Sequence, residues 1–240
     1  MRTRASATLL VALVLAVLFA GRGPDRAPTA TDASQSAVAP TPTATPTPQA
    51  RSALAAAALL PVKGRAPRTG YDRDLYGQRW KDVDRNGCDT RNDILRRDLD
   101  AQVLKEGTYG CVVASGTLHD PYSGGTILFV RGQGTSTAVQ IDHVVALSDS
   151  WQKGAQQWDT ATREAFANDP LNLLAVDGPL NQQKGDGDTA TWLPPNTAFR
   201  CAYVARQVGV KRAYGLWVTQ AEQDAMVRVL STCPTEPLPS

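Results

Sequence analysis

A stretch rich in proline, alanine and threonine, residues 21–50, divides the chain into a part that cannot build a core and a part that can. The stretch ends in a threonine- and proline-rich repeat between Thr41 and Pro48. Such a composition favours extended chain and supplies too little apolar mass for packing. We therefore predict a disordered linker over 21–50 and one folded domain over 51–240.

The residues before the linker have the pattern of an export signal. Arg2 and Arg4 precede an apolar run from Ala7 to Ala20. A short basic segment followed by an apolar run of about 7–15 residues is typical of a secretory signal, whereas a membrane anchor normally needs about 20. We predict that residues 1–20 are a signal peptide, that the protein is secreted, and that it does not insert stably into a membrane after cleavage. A retained anchor is the alternative.

Four cysteines follow, all of them in the predicted domain: Cys88, Cys111, Cys201 and Cys233. An even number of cysteines in an exported chain indicates disulfides, and four allow three pairings. Each pair of sequence neighbours flanks one local unit, so we favour Cys88–Cys111 and Cys201–Cys233. Zinc is a poorer explanation, because the chain has no CxxC motif and contains two histidines.

Short apolar runs predict a few strands. Residues 111–118 and 126–130 are joined by a turn-rich segment, which favours a β-hairpin. A third strand, 138–141, runs directly into Asp142 and His143, and 171–176 is a further short strand. Together with the helices, these strands predict an α+β fold.

Helical periodicity marks the other segments. The longest predicted helix begins near Thr90, with Asp89 or Thr90 as its N-cap, and ends at Gly107. A capping box, Thr219 to Glu222, opens the last predicted helix. Shorter helices are expected over 54–60, after Asp159 and after Asn196.

Net charge excludes bulk attraction to a polyanion. Four of the 25 basic and two of the 23 acidic residues lie before residue 51, so 51–240 carries no net charge. If this domain binds nucleic acid, a local basic strip or a metal ion must provide the attraction.

The two histidines stand in different contexts. His119 lies in a turn-forming segment and is expected to be exposed. His143 follows a strand and an acid, and a distinctive downstream pattern begins with Asn172-Leu173-Leu174 and continues with Asn-Gln-Gln-Lys-Gly-Asp over 181–186.

This set of motifs resembles the ββα-metal finger of the HNH endonucleases. It is most similar to the branch that includes the C-terminal domain of GmrSD-type restriction enzymes. Segments 86–93, 116–122 and 192–194 also resemble secreted HNH-family proteins of actinobacteria. The resemblance covers roughly residues 70–233. It implies small antiparallel sheets or hairpins, a ββα-metal finger and flanking helices, stapled by the disulfides.

The resemblance also implies a role for each motif residue. Asp142 would be a metal ligand, and His143 would be the general base that takes a proton from the attacking water. Asn172 would hold the loop of the finger and orient the base. Asn181, which stands where the family has its second histidine, would complete the metal site. Lys184 would face the scissile phosphate.

One carboxylate and one amide oxygen are ligands suited to a single hard divalent cation, namely Mg²⁺, Mn²⁺ or Ca²⁺. A second cation site is suggested by Asp82, Asp84 and Asn86, which match the start of a calcium loop. The twelfth position of that loop is Asp93 instead of glutamate. Structural Ca²⁺ and an Asx-rich turn both stay open here.

Arg91 and Arg200 are candidate phosphate ligands, with surface or salt-bridge roles as alternatives. The sequence contains no recognition-helix signature, which favours contacts to backbone phosphates over base readout. We therefore expect a secreted, metal-dependent endonuclease that cleaves DNA or RNA with little sequence specificity. The alternatives are a non-catalytic extracellular binding domain on an HNH scaffold and a secreted nuclease toxin.

Overall fold

The computed structural model describes residues 52–239. The signal peptide predicted over 1–20 and the linker predicted over 21–50 lie outside these described residues. The α-helices are α1 (Ala53–Ala58), α2 (Thr90–Asp98), α3 (Leu147–Trp151), α4 (Thr160–Asn168), α5 (Gly178–Lys184), α6 (Arg200–Ala213) and α7 (Gln220–Leu230). The strands are β1 (Leu99–Leu104), β2 (Val113–His119), β3 (Thr126–Val130), β4 (Val139–His143) and β5 (Leu173–Asp177). Short 3₁₀ helices span Arg73–Tyr76, Ala155–Gln157 and Thr197–Phe199.

The strands form two small antiparallel sheets, and this confirms the predicted α+β class. One sheet has the order β1-β2-β3, and the other pairs β4 with β5. The predicted hairpin is β2–β3. Asp120 in its turn accepts hydrogen bonds from Ser123 N at 2.7 Å and from Asp177 N at 2.9 Å, so one carboxylate ties the hairpin to β5.

The long helix predicted from Thr90 to Gly107 is wrong in its second half. Asp89 caps α2 as expected, accepting from Asn92 N at 2.8 Å, but the helix ends at Asp98. Leu99 then begins β1, which pairs with β2 in register Leu99↔Leu118. The buried Leu99 side chain fills the space above Gly116, where a Cβ would lie 2.8 Å from it. Sheet pairing therefore overrides the local helical pattern.

Both predicted disulfides are present, Cys88–Cys111 and Cys201–Cys233. The first joins the segment before α2 to the segment before β2, and the second joins α6 to the residues after α7. The predicted alanine-rich helix is α1, which packs on α6 and α7 through the buried residues Ala53, Ala56 and Ala57.

Residues 61–80, which we call the upstream strap, lie against the segment around α3. Val218 N donates to Pro61 O at 2.9 Å, and the buried Tyr76 hydroxyl donates to Leu147 O at 2.8 Å. Trp151 Nε1 donates to Thr69 O at 3.4 Å. The strap is therefore fixed to the domain at its beginning, its middle and its end.

Five buried charged residues and the partly exposed Arg65 of the strap form a group that we call the ion cluster. It comprises Arg65, Asp149, Lys153, Asp188, Lys211 and Glu222. The predicted capping box is only half formed there. Thr219 caps α7, accepting from Glu222 N at 3.2 Å, but the Glu222 carboxylate binds Lys153 at 2.6 Å and Lys211 at 3.0 Å. Leaving two buried ammonium groups without a counter-charge would cost more free energy than leaving one helix-end N–H without its side-chain acceptor.

Within residues 52–239, no helix has both the length and the apolar content to cross a membrane.

Candidate active site

The elements β4, β5 and α5 follow one another as a ββα unit. Asp142 and His143 are the last two residues of β4, opposite Leu174 and Leu173 of β5. Asp177 ends β5 and caps α5, accepting from Leu180 N at 2.8 Å. The cap fixes where α5 begins, and α5 carries the next two motif residues.

Asp142 is buried and has a partner on each oxygen. Tyr122 Oη donates to Oδ2 at 2.5 Å, and Lys184 Nζ donates to Oδ1 at 2.9 Å. Burial raises the pKa of Asp142, while the Lys184 ammonium and the Tyr122 hydroxyl oppose that rise. Because each carboxylate oxygen has two lone pairs, one acceptor position on each oxygen is left over.

His143 is held in one tautomer. Its Nε2 lies 2.8 Å from Ala167 O, and since a carbonyl only accepts, Nε2 carries the proton and Nδ1 keeps its lone pair. Trp80 stacks against the ring, with centroids 6.3 Å apart and an interplanar angle of 12°. Burial lowers the pKa of His143 to about 3, which leaves the imidazole neutral at neutral pH.

Asn172 is fully buried just before β5, and its side chain binds the loop that follows His143. Oδ1 accepts from Val145 N at 2.8 Å, and Nδ2 donates to Val145 O at 3.2 Å. Its backbone carbonyl also accepts from Val144 N at 2.8 Å. Asn172 therefore contacts the loop backbone and makes no hydrogen bond to the His143 ring among the described residues.

Asn181 lies on α5 and lines the same cleft as Asp142 and His143. Its Nδ2 donates to Gln140 Oε1 at 2.9 Å, which fixes the amide and leaves Oδ1 without a hydrogen bond to any described residue. Asp142 and Asn181 together offer oxygen donors only. This donor set fits a hard divalent cation and not zinc.

Lys184 is where the structure departs from the sequence-based expectation. Its side chain is buried, and Nζ donates to Asp142 Oδ1 and to His143 O, each at 2.9 Å. The ammonium is thus bound beneath the two motif residues instead of facing the cleft as a free phosphate ligand.

The cleft is open and has a volume of about 600 Å³. Its lining includes residues of β4, α3 and α5 and residues of the upstream strap. The strap contributes residues that sequence reasoning missed: Arg68, Tyr71, Arg73, Arg79 and Trp80. These three arginines and two aromatic residues lie within thirteen positions of the sequence. Such clustering of basic and aromatic residues is a sequence signal for a nucleic-acid-binding surface.

The two arginines singled out from the sequence lie elsewhere. Arg200 Nε donates to Pro194 O at 2.8 Å, and the side chain lines a different cavity beside Cys201. Arg91 is near Asp89 and Arg131, and burial lowers its pKa. Neither residue lines the cleft that holds His143.

The suggested calcium loop is an Asx turn network in the structure. Asp82 accepts from Asn86 N and Gly87 N at 3.2 and 2.9 Å, and Asp84 accepts from Asn86 N at 3.1 Å. Within residues 52–239, no group of three or more His, Cys, Asp or Glu side chains is arranged to hold a metal ion. Structural calcium at Asp82, Asp84 and Asn86 stays a prediction.

The fold places a ββα unit beside the cleft, and comparison with known proteins gives the family. Residues 89–229, more than half of the chain, match the model of the C-terminal domain of GmrSD restriction endonucleases, and the chain belongs to this family. An uncharacterized secreted protein of Arthroderma benhamiae is 39% identical over 176 residues, which are 72% of this chain and 81% of that protein. No solved structure shows a significant match.

Proposed function

We propose that this protein is a secreted, metal-dependent endonuclease that hydrolyses phosphodiester bonds of DNA with little sequence specificity. The observation that supports it most is the orientation of His143. The imidazole has Nε2–H fixed on Ala167 O, which leaves the lone pair on Nδ1, and His143 lines a cleft that Asp142 and Asn181 also line. Because burial keeps the imidazole neutral at physiological pH, its Nδ1 lone pair is not blocked by a proton.

In the proposed reaction, Nδ1 of His143 takes a proton from a water molecule as the water oxygen attacks phosphorus. The bond between phosphorus and the 3′ oxygen breaks, and the leaving oxygen takes a proton from solvent. The products are a 3′ hydroxyl and a 5′ phosphate. Ala167 O keeps the ring oriented throughout, because it holds the proton of the other nitrogen.

Asp142 and Asn181 would hold the divalent cation, with Mg²⁺ favoured and Mn²⁺ or Ca²⁺ as alternatives. When bound, the cation supplies positive charge for the phosphate and the leaving oxygen. Lys184 and Tyr122 keep the Asp142 carboxylate in place. Asn172 fixes the loop after His143, and through that loop it positions the base.

The predicted location is outside the cell. Disulfides persist in oxidising compartments, and this chain has two. The relative in Arthroderma benhamiae is named a secreted protein. Both findings agree with the export signal predicted over residues 1–20.

The test is cleavage of supercoiled plasmid by the disulfide-bonded protein with Mg²⁺, Mn²⁺ or EDTA. The chain provides its own matched control, because His119 is an exposed second histidine. We expect cleavage with the cations and none in EDTA. His143→Ala should reduce the rate by about 10²–10⁴-fold, and His119→Ala should leave it unchanged.

Two outcomes would contradict the proposal. A His143→Ala protein as active as wild type would show that another group is the base. Wild type that binds DNA without cutting it under any of these cations would indicate the non-catalytic binding domain. Substituting RNA for plasmid in the same assay determines whether RNA is also a substrate.

A further inference from the structure

The upstream strap brings arginines to the cleft that the proposed reaction does not use. Arg68, Arg73 and Arg79 are exposed, and all three line the cleft that holds His143 and Asp142. The strap lies before residue 89, where the family match begins. These side chains therefore lie outside the matched segment, in a part of the chain that the family model does not cover.

Within residues 52–239, Arg73 and Arg79 have no acidic ion-pair partner. Neither guanidinium forms an ion pair or hydrogen bond with another described residue. Both residues line the same cleft, where partial burial lowers the pKa of Arg73 and the positive charge of Arg79 lowers it further. Arg68 differs, because its guanidinium lies over the Tyr71 ring, 5.1 Å from the ring centroid, and 3.9 Å from the Asp186 carboxylate.

The backbone that carries the two arginines is fixed. Arg73 begins a 3₁₀ helix whose cap, Asp72, accepts from Asp74 N at 2.9 Å, and whose last residue is the buried Tyr76. Next to Arg79, Gln78 O accepts from Asn168 Nδ2 at 3.1 Å. On the other side of Arg79, Trp80 stacks on His143. Two positive charges that line one cleft on a fixed backbone, with no ion-pair partner among the described residues, favour the binding of an anion there.

We propose that Arg73 and Arg79 form a phosphate-binding subsite that holds the nucleic-acid backbone across the His143 cleft. The assignment of nucleic acid as the ligand rests on the proposed function. Guanidinium groups suit this ligand, because their planar donors match two oxygens of one phosphate. The subsite also accounts for how a domain with no net charge attracts a polyanion: the attraction is local.

The test measures binding separately from cleavage. A fluorescein-labelled DNA duplex is titrated with full-length protein in EDTA, and anisotropy gives Kd at several salt concentrations. Arg73→Gln/Arg79→Gln is compared with Arg96→Gln/Arg228→Gln, a pair of exposed arginines outside the cleft that changes the charge equally.

We expect the strap variant to weaken binding at least tenfold and to lower the salt slope by up to about 1.8, the value for two phosphate contacts. The control pair should bind like wild type, and the melting temperature should be unchanged in both. If the glutamine variant is less stable, Arg73→Lys/Arg79→Lys keeps the charges and should bind with intermediate affinity.

Three outcomes would overturn the subsite. They are equal weakening in the two double variants, wild-type affinity in the strap variant, and no DNA binding by wild type. Failure of the subsite and failure of the nuclease proposal are distinguishable. Arginine-dependent binding without cleavage refutes the nuclease and keeps the subsite. Cleavage by a protein whose DNA binding does not depend on Arg73 and Arg79 refutes the subsite and keeps the nuclease.

Discussion

Lys184 and Asp142 form a buried ion pair directly beneath the cleft, at 2.9 Å. Removing one member of such a pair leaves an uncompensated charge and costs about 3–5 kcal/mol. Lys184 also opposes the rise that burial causes in the pKa of Asp142. Its loss would therefore favour a protonated Asp142, which is a poorer ligand for a cation.

We predict that Lys184→Met lowers the free energy of unfolding by about 3 kcal/mol and also abolishes plasmid cleavage. Urea denaturation measures the first effect, with the exposed Lys105→Met as the control. A variant with wild-type stability and weaker, less salt-dependent DNA binding would contradict this. It would restore the sequence-based expectation that Lys184 contacts the phosphate.

At the residue scale, the sequence motif identified which side chains meet but not how they are paired. Asp142, His143 and Asn181 line one cleft, as the motif predicts. The contacts of Tyr122 and Trp80 could not be predicted, because both residues come from segments far away in the sequence. Glu222 shows the same effect, since its buried lysine partners are set by the tertiary fold.

At the scale of elements, the position of α5 determines whether Asn181 reaches the cleft. Gly178 begins this helix, and its backbone passes so close to Thr137 that a Cβ would lie 2.0 Å from Thr137 O. Any side chain at this position must push the start of α5 away from the strand segment before β4. Asn181, one turn later, would move with it.

We predict that Gly178→Ala reduces both cleavage and thermal stability, because the clash is with backbone and cannot be relieved by a rotamer change. Gly64→Ala is the matched control, since a Cβ there meets nothing within 4 Å. A Gly178→Ala protein with the melting temperature and rate of the control would show that α5 tolerates displacement.

Elements with a strong local signal were predictable, and elements made by long-range pairing were not. The hairpin β2–β3, the capped start of α2 and both disulfides follow from turn residues, caps and cysteine spacing. Strand β1 was mistaken for helix because its pairing with β2 is not visible in its own periodicity. The strap was missed because its order comes from contacts with α3 and not from a regular pattern.

At the scale of the whole molecule, the ion cluster links the strap to α3, α6 and α7. Arg65 connects the strap to the cluster, because its guanidinium lies 3.0 Å from the Asp149 carboxylate and 2.8 Å from the Asp188 carboxylate. Burial raises the pKa of Asp149, but Lys211 and Lys153 outweigh it, so the pKa lies below its usual value. A carboxyl with a lowered pKa in the folded state stabilises the fold above its unfolded pKa of about 3.9.

We predict that this contribution of Asp149 persists down to about pH 4 and is lost only as the pH falls further, through the lowered pKa. Urea denaturation from pH 7 to pH 2.5 measures it as the difference between wild type and Asp149→Asn. The variant should be less stable at pH 7, and the difference should shrink below pH 4. A difference that is constant across this range would contradict the account.

If Asp142 and His143 act as one hydrolytic unit, a double-variant cycle of plasmid cleavage in Mg²⁺ will show that their effects are coupled. Groups that act together give non-additive losses. We predict that His143→Ala and Asp142→Asn each reduce the rate about 100-fold or more, and that combining them costs little beyond the worse single variant. Independent, multiplying losses, or wild-type cleavage by His143→Ala, would contradict the account.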